Sequence, residues 1–332
     1  MNHGHEPQRR TLETLSGNGT DQRNLKPSDC FASGLIPHFR ETLLRRIGFS
    51  NKVVFFLLIL AGMLNSCERN NILTQNQWGD IFKKHGIDSA CFELADNSHD
   101  QIFIYNLNRC SKRFSPASTF KIFNSLVGLE TNVARDENLV IPWDGTLRRE
   151  SWNKDLTMRE AFKVSSVPYY QELARRIGQV EMQKWLDTVR YGNKRIGPVV
   201  DEFWLNDSLQ ISPDEQVGFL KKLYFDKLPF SQRSQRIVRS MMLQEDSSYY
   251  KLYYKTGTQM PIRNGHRVTM AWIVGFVERM EKQKNVETKI EETHYRPYFF
   301  AMNFETKDTL MDTYPIRISI LKDILRERQI LE

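Results

Sequence analysis

The chain has 332 residues, of which 40% are hydrophobic, 11% aromatic and 26% charged, with a formal net charge of +7. That apolar content can build a full core, which excludes wholesale disorder, and no apolar run reaches the ~18 residues of a membrane-spanning helix, which excludes a multi-span membrane protein. The positive excess is dispersed, +3 in residues 1–66 and +4 in the remaining 266, without an RNP-type or zinc-finger pattern, so no nucleic-acid partner is expected.

Residues 1–35 are polar, rich in Gly, Asn, Ser and Thr, and show no sustained period. Arg45, Arg46 and Lys52 then precede an apolar run from Val53 to Leu64 and the sequence Leu64-Asn65-Ser66-Cys67. A basic start, a short apolar stretch and small residues before a break match a secretory signal over residues 46–66. Cys67 at its end resembles a bacterial lipoprotein box, in which that thiol is lipidated and becomes the mature N-terminus, although Asn65 stands where a smaller residue is usual. The expectation is an exported, periplasmic protein with Cys67 as the point of a lipid anchor. Because a signal ordinarily begins at the initiator Met, residues 1–45 read as an overextended gene start. Residues 67–332 remain as the working domain.

Of four cysteines, Cys30 falls in the leader and Cys67 at the signal, leaving Cys91 and Cys110 in an oxidising compartment. They flank a predicted hairpin whose turn near Asn97 sets Cys91 opposite about residue 106, a poor register for a bridge. A disulfide stays open, with two free, partly buried thiols favoured. No CxxC or HExxH occurs and the four His of the mature region are scattered, so no metal site is expected.

In the mature chain, Leu73 to Phe82 predicts one amphipathic helix. Cys91–Ala95 and Gln101–Asn106 alternate around Asp96-Asn97-Ser98 and predict a hairpin. Helical spacing runs from Pro116 to Leu129, and residues 155–243 are mostly helical. Within them, Pro168 opens a helix that Gly178 ends, and Ser212-Pro213-Asp214-Glu215 is a capping box with Pro at the first helical position. Strand character returns in Tyr249–Tyr254, Val268–Val277 and Pro297–Phe304, the charged residues 279–296 read as a long solvated loop, and a final helix covers about Arg317–Gln329. Strands at both ends and helices between predict an α+β fold: an antiparallel sheet flanked by helices, with an inserted all-helical lobe.

Ser118-Thr119-Phe120-Lys121 is an S-x-x-K, a spacing that also occurs at Ser151–Lys154, Ser248–Lys251 and Ser319–Lys322. Pro116 separates this copy from the others, because it sets Ser118 in the first turn of a helix. Backbone N–H groups without intrahelical partners there can stabilise an oxyanion. Lys121 lies one turn on, on the same face, among Phe120, Ile122 and Phe123. Burial lowers a lysine's pKa toward a neutral amine that can take a proton or react with carbon dioxide. Ser248 falls in an alternating Tyr-rich strand and Ser319 inside a late helix. Lys255-Thr256-Gly257, the one K-[ST]-G of the chain, ends a predicted strand, where Lys holds charge over a cleft and Gly lets backbone approach a substrate. Ser165, before Ser166, Val167 and Pro168, can pass a proton or simply cap a helix.

The ordered set Pro116-Ala117-Ser118-Thr119-Phe120-Lys121, Ser165-Ser166-Val167, Tyr191-Gly192-Asn193, Phe203-Trp204-Leu205, Lys255-Thr256-Gly257 and Ala271-Trp272-Ile273-Val274-Gly275 resembles the class D, oxacillinase-type serine β-lactamases over about residues 72–332. The resemblance implies a serine β-lactamase/penicillin-binding-protein-like fold in two lobes and β-lactam antibiotics as substrates. By the same resemblance Ser118 is the acylated nucleophile, and Lys121 is the general base as N6-carboxylysine formed with carbon dioxide or bicarbonate. Trp204 donates to that carbamate, and Ser165 and Lys255 move protons. It also implies an oxyanion hole from the N–H groups of Ser118 and Thr258, Arg317 on the substrate carboxylate, and Val167, Leu205, Thr256 and Gly257 around the substrate. No further cofactor is implied and the oligomeric state stays open. Thr258 replaces a usual Trp or Phe, and Ala271 a usual Gly, which bears on spectrum rather than reaction. Three rivals remain: a slowly deacylating β-lactam sensor domain, which normally adds membrane spans and a metalloprotease; a penicillin-binding transpeptidase, which normally carries S-x-N; and a lipoprotein that binds cell-wall fragments without turnover.

Overall fold

Local rules account for most elements of the chain. A computed structural model describes residues 71–284 and 290–332; the leader, the signal, Cys30 and Cys67 lie outside the described residues. Ile72–Thr74 (β1) is extended, and helix forms only over Trp78–Lys84 (α1), not from Leu73. The i, i+4 pair Trp78 and Phe82 makes a buried helical face, whereas Ile72 and Leu73 stay exposed and their backbone is taken by Asn71 and Gln75 bonds to the neighbouring strand. Ser89–Asp96 (β2) and Gln101–Tyr105 (β3) form the expected hairpin, followed by the short helix Leu107–Cys110 (α2). Its register pairs Phe92 with Tyr105, so Cys91 falls beside Asn106 as counted from the turn. Cys91 and Cys110 are free, and fully rather than partly buried. The Cys91 thiol and burial together hold the Cys110 thiol well above its ordinary range, so Cys110 is no ready thiolate.

A single 3₁₀ turn, Ala117–Phe120, leads into Lys121–Glu130 (α3). The middle of the chain then supplies Met158–Lys163 (α4), Val167–Ile177 (α5), Gln179–Val189 (α6), Pro213–Tyr224 (α7) and Gln232–Met242 (α8). Gly178 ends α5 at φ 81°, and the Ser212–Glu215 capping box opens α7 with both reciprocal bonds present. The lobe is not wholly helical, since Val140–Ile141 (β4) pairs with Leu156–Thr157 (β5).

Leu243–Asp246 (β6), Tyr250–Gln259 (β7), a small hairpin of Ile262–Arg263 (β8) and His266–Arg267 (β9), Thr269–Lys284 (β10), Glu291–Thr306 (β11) and the helix Thr313–Glu327 (α9) complete the chain. The seven-stranded sheet runs β1-β3-β2-β11-β10-β7-β6, antiparallel except for β1 with β3. Two corrections arise here. Residues 279–296 are largely strand rather than solvated loop: the β10–β11 ladder continues from Arg279↔Arg296 to Lys284↔Glu291. Cross-strand ion pairs, Glu281 with Arg296 at 2.9 Å and Lys282 with Glu291 at 3.5 Å, replace the apolar alternation that identifies a strand in sequence. The Lys255-Thr256-Gly257 motif lies inside β7, paired with Val274, Ile273 and Trp272, not at a strand end, and Ser248 sits in the turn before β7.

The sheet separates two cores by its period of two. Ile273, Phe300 and Met302 face α1 and α9 with Leu321 and Ile324, while Trp272, Val274 and Phe299 face the helical lobe with Phe120, Phe123 and Leu126. Glu93 of β2 interrupts the second face. Its carboxyl is buried, Oε2 has no partner, and burial followed by repulsion from Asp214 pushes it up to about 8. The folded state therefore holds this proton where the unfolded chain has released it, and stability falls as pH rises from about 4.5 through about 8. Glu93→Val is expected to raise stability at pH 9 by up to about 5 kcal/mol and to change it far less at pH 4, as read from urea unfolding at both pH values.

Candidate active site

Ser118 sits in the first turn after Pro116, as the sequence predicts, although that turn is 3₁₀ and the α-helix begins at Lys121. Ala117 is held at φ 48°, a left-handed conformation that an L residue adopts at a cost of about 1–2 kcal/mol. Its surroundings fix it there. Ala117 N donates to the Trp204 carbonyl at 3.1 Å, Ser115 Oγ donates to the same oxygen at 2.8 Å, and Trp272 Nε1 donates to the Ser115 carbonyl at 3.0 Å. The nucleophile turn is thus tied to both the lobe and the sheet.

Gly257 brings β7 against that turn. A Cβ at residue 257 would lie 2.9 Å from the Pro116 carbonyl oxygen and 3.2 Å from Ser118 N. The absent side chain lets the strand carrying Thr258 lie beside the Ser118 N–H. Gly257→Ala is expected to force the two apart and lower kcat/KM at least about 100-fold, together with a lower melting midpoint; steady-state kinetics and a thermal melt check it.

Lys121 Nζ donates to Ser118 Oγ at 2.9 Å, and Lys255 Nζ donates to Ser165 Oγ at 3.0 Å and to the Thr256 carbonyl at 3.1 Å. Ser166, not Ser165, caps α5, accepting from Tyr169 N, so the Ser165 hydroxyl is left for Lys255; Ser165 also adopts a left-handed φ of 57°. Burial, then the charges of Lys255 and Arg149, drive Lys121 well below the ordinary lysine range, while burial and then Arg317 bring Lys255 down to about 7. No carboxylate among the described residues pairs with either amine. Trp204 is fully buried, stacked on Phe120 at 5.2 Å, and its indole Nε1 has no hydrogen-bond partner among the described residues.

Above these groups opens a cleft of about 440 Å³, lined by Ser118, Ser165, Val167 and the Lys255–Thr258 strand on the way to Arg317. Arg317 is buried in α9, and all five of its N–H bonds are spent on protein. They go to the carbonyls of Gly257 (2.7 Å), Trp272 (3.0 Å) and Thr313 (2.8 Å), and to the hydroxyls of Thr258 (2.8 Å) and Thr313 (2.6 Å). It therefore supplies charge and holds the strand, with the Thr258 hydroxyl as the group it polarises toward the cleft. Leu205 does not line the cleft: its N–H bonds Glu202, its carbonyl accepts from Gln259 at 3.1 Å, and it packs on the lobe core. Sequence reasoning missed Arg149, Trp152 and Lys163, which line the opening from segments with no motif of their own, and Tyr254, which directly precedes the Lys255 motif. Chemically, the cleft offers a hydroxyl beside a desolvated amine, a second amine with a pKa near neutrality, and backbone donors at a helix start. That set suits acyl transfer. Among the described residues no group of three His, Cys, Asp or Glu side chains could hold a metal.

Residues 75–324 match the family model of the penicillin-binding protein transpeptidase domain. The chain is 41% identical over 232 residues to the probable β-lactamase YbxI of Bacillus subtilis (strain 168), covering 70% of this chain and 79% of that protein. It is 39% identical over 255 residues to β-lactamase OXA-48 of Klebsiella pneumoniae, covering 76% and 88%. Among solved structures, the class D β-lactamase FUS-1 (OXA-85) from Fusobacterium nucleatum subsp. polymorphum aligns with a TM-score of 0.69 at 34% identity, over 78% of this chain and 100% of that one.

Proposed function

The chain belongs to the class D β-lactamases of the penicillin-binding-protein transpeptidase family, and on that premise we propose that it hydrolyses β-lactam antibiotics through an acyl ester on Ser118 and so confers resistance to them. Ser118 Oγ attacks the lactam carbonyl carbon as its proton passes to the Lys121 side chain 2.9 Å away. The Ser118 and Thr258 N–H groups receive the negative oxygen. The ring C–N bond breaks, and its nitrogen takes a proton from Ser165, which Lys255 replenishes across their 3.0 Å contact; an amine with a pKa near 7 can both give and accept that proton. The proton that Lys121 took from Ser118 passes through solvent to Lys255, which resets both amines. Lys121 then takes a proton from the water that attacks the ester carbon and hands it to Ser118 Oγ as the ester bond breaks. The product leaves with a new carboxylate and Ser118 regains its hydrogen.

The close Lys121–Ser118 pair, in surroundings that drive the amine well below the ordinary lysine range, carries this reading. The same surroundings fit carbon dioxide on Lys121. Among the described residues the buried amine has no carboxylate partner and the Trp204 N–H no acceptor, and that N–H and the Ser118 hydroxyl would hold the added group. As a carbamate, Lys121 would supply an anionic base. In the test, the purified protein is given a chromogenic cephalosporin with and without bicarbonate. Sustained turnover that bicarbonate raises supports the reading, and a single stoichiometric burst overturns it in favour of a sensor or binding protein. On the same premise the protein acts outside the cytoplasm, exported by residues 46–66, with lipid on Cys67. Fatty-acid labelling that persists in Cys67→Ser would contradict the anchor.

A further inference from the structure

The two walls of the cleft carry positive charge for different reasons. On the sheet side, Lys255 and Arg317 are buried and spent on Ser165, Thr256, Thr258 and the β7 and β10 backbone. Penicillins and cephalosporins carry a carboxylate on the fused ring, and on the hydrolase reading these two cations take that end of the substrate. On the lobe side, the 3₁₀ turn Glu150–Trp152 and the end of α4 bring Arg149, Trp152 and Lys163 to the opening. Trp152 is fixed, because its Nε1 donates to the Val164 carbonyl at 3.0 Å, next to Ser165. The Arg149 guanidinium lies over that indole, 5.1 Å from the ring centroid. Contact with the ring face leaves the guanidinium N–H groups for other partners, and Arg149 lines the cleft.

What sets Arg149 apart is the lack of an acid. Its neighbour Arg148 is neutralised by Asp144 through two 2.8 Å bonds, whereas no carboxylate among the described residues pairs with Arg149 or with Lys163. The one acid lining the cleft, Asp312, caps α9 on the opposite wall. An aromatic platform holding an unpaired guanidinium edge is the donor geometry that a carboxylate accepts bidentately.

We propose that Arg149 is a specificity-determining residue that favours β-lactams whose acylamino side chain carries a second carboxylate. The inference rests on the hydrolase reading of Ser118 and adds the substrate class to it. Benzylpenicillin and carbenicillin share an aromatic side chain and differ by one carboxylate on it, so the ratio of their kcat/KM values isolates this contact. In the full protein, Arg149→Gln is expected to lower the carbenicillin-to-benzylpenicillin ratio by about three- to tenfold, mainly through the KM for carbenicillin, and Arg149→Lys to restore part of it. In the unsubstituted protein, raising NaCl from 50 to 500 mM is expected to lower the same ratio, because screening acts on the additional charge pair. A ratio unchanged by both the Gln substitution and salt overturns the proposal, and the salt series decides alone if the variant does not fold. Hydrolysis of neither penicillin would instead overturn the hydrolase reading, and this inference with it.

Discussion

Replacing Lys121 by alanine is expected to lower kcat/KM for benzylpenicillin by about 10³–10⁴-fold while the protein stays folded. Lys121 Nζ is the amine in contact with Ser118 Oγ, whereas Lys255 is engaged with Ser165 and the Thr256 carbonyl. On the proposed mechanism, removing the side chain takes away the proton acceptor for both halves of the reaction, so acylation should slow and any ester that forms should persist. The fold tolerates the change better than a usual buried-residue deletion. Burial drives the amine well below the ordinary lysine range and no carboxylate among the described residues pairs with it, so no ion pair is lost and the cost is that of a cavity, about 2–4 kcal/mol. Lys121→Arg is expected to rescue nothing, because a guanidinium cannot release its proton near neutral pH. Steady-state rates, with a thermal melt to establish folding, check both variants.

Trp204→Phe has the next largest expected effect, a loss of about 100-fold in turnover that added bicarbonate does not restore. A buried indole N–H left without a partner costs about 1–3 kcal/mol; that of Trp204 finds none among the described residues, and on the proposed mechanism the Lys121 carbamate supplies one. Phe keeps the stack on Phe120, 5.2 Å away, and deletes only the donor and part of the ring. The unsubstituted protein should melt higher in bicarbonate than in its absence, because a ligand bound only to the folded state stabilises it. The Trp204→Phe protein should show little or no such increment. Labelled bicarbonate gives a second readout: a carbamate carbon resonance present in the parent protein and absent or weakened in the variant. An equal bicarbonate increment in both proteins would sever Trp204 from the modification.

Much of the site is legible in sequence because its parts are local. An S-x-x-K after Pro fixes Ser118 and Lys121 on one helical turn, and a Ser-Ser-Val before Pro168 leaves one serine to cap α5 and the other to meet Lys255. The capping box at Ser212 and the Cys91–Asn106 register follow from equally short-range rules. What sequence hides is tertiary. Leu73 satisfies a helical pattern, yet backbone pairing with β3 claims its segment. The charged ribbon 279–296 lacks apolar alternation, and only the facing strand reveals that its charges pair. Sequence offers Arg317 as a carboxylate ligand but hides that all five of its donors are engaged by carbonyls and a hydroxyl 45 to 60 positions away and by its own helix. Arg149 and Trp152 carry no motif, and enter the cleft only because the Val164 carbonyl anchors the indole.

The most direct measurement of the central claim is intact-protein mass spectrometry of the Lys121→Ala variant mixed with benzylpenicillin, followed by peptide mapping. The account predicts a stable adduct equal in mass to the whole penicillin, since ring opening expels no fragment, located on the peptide containing Ser118 and absent from a Ser118→Ala, Lys121→Ala double variant. An adduct on any other residue, or an adduct that survives loss of the Ser118 hydroxyl, would contradict it.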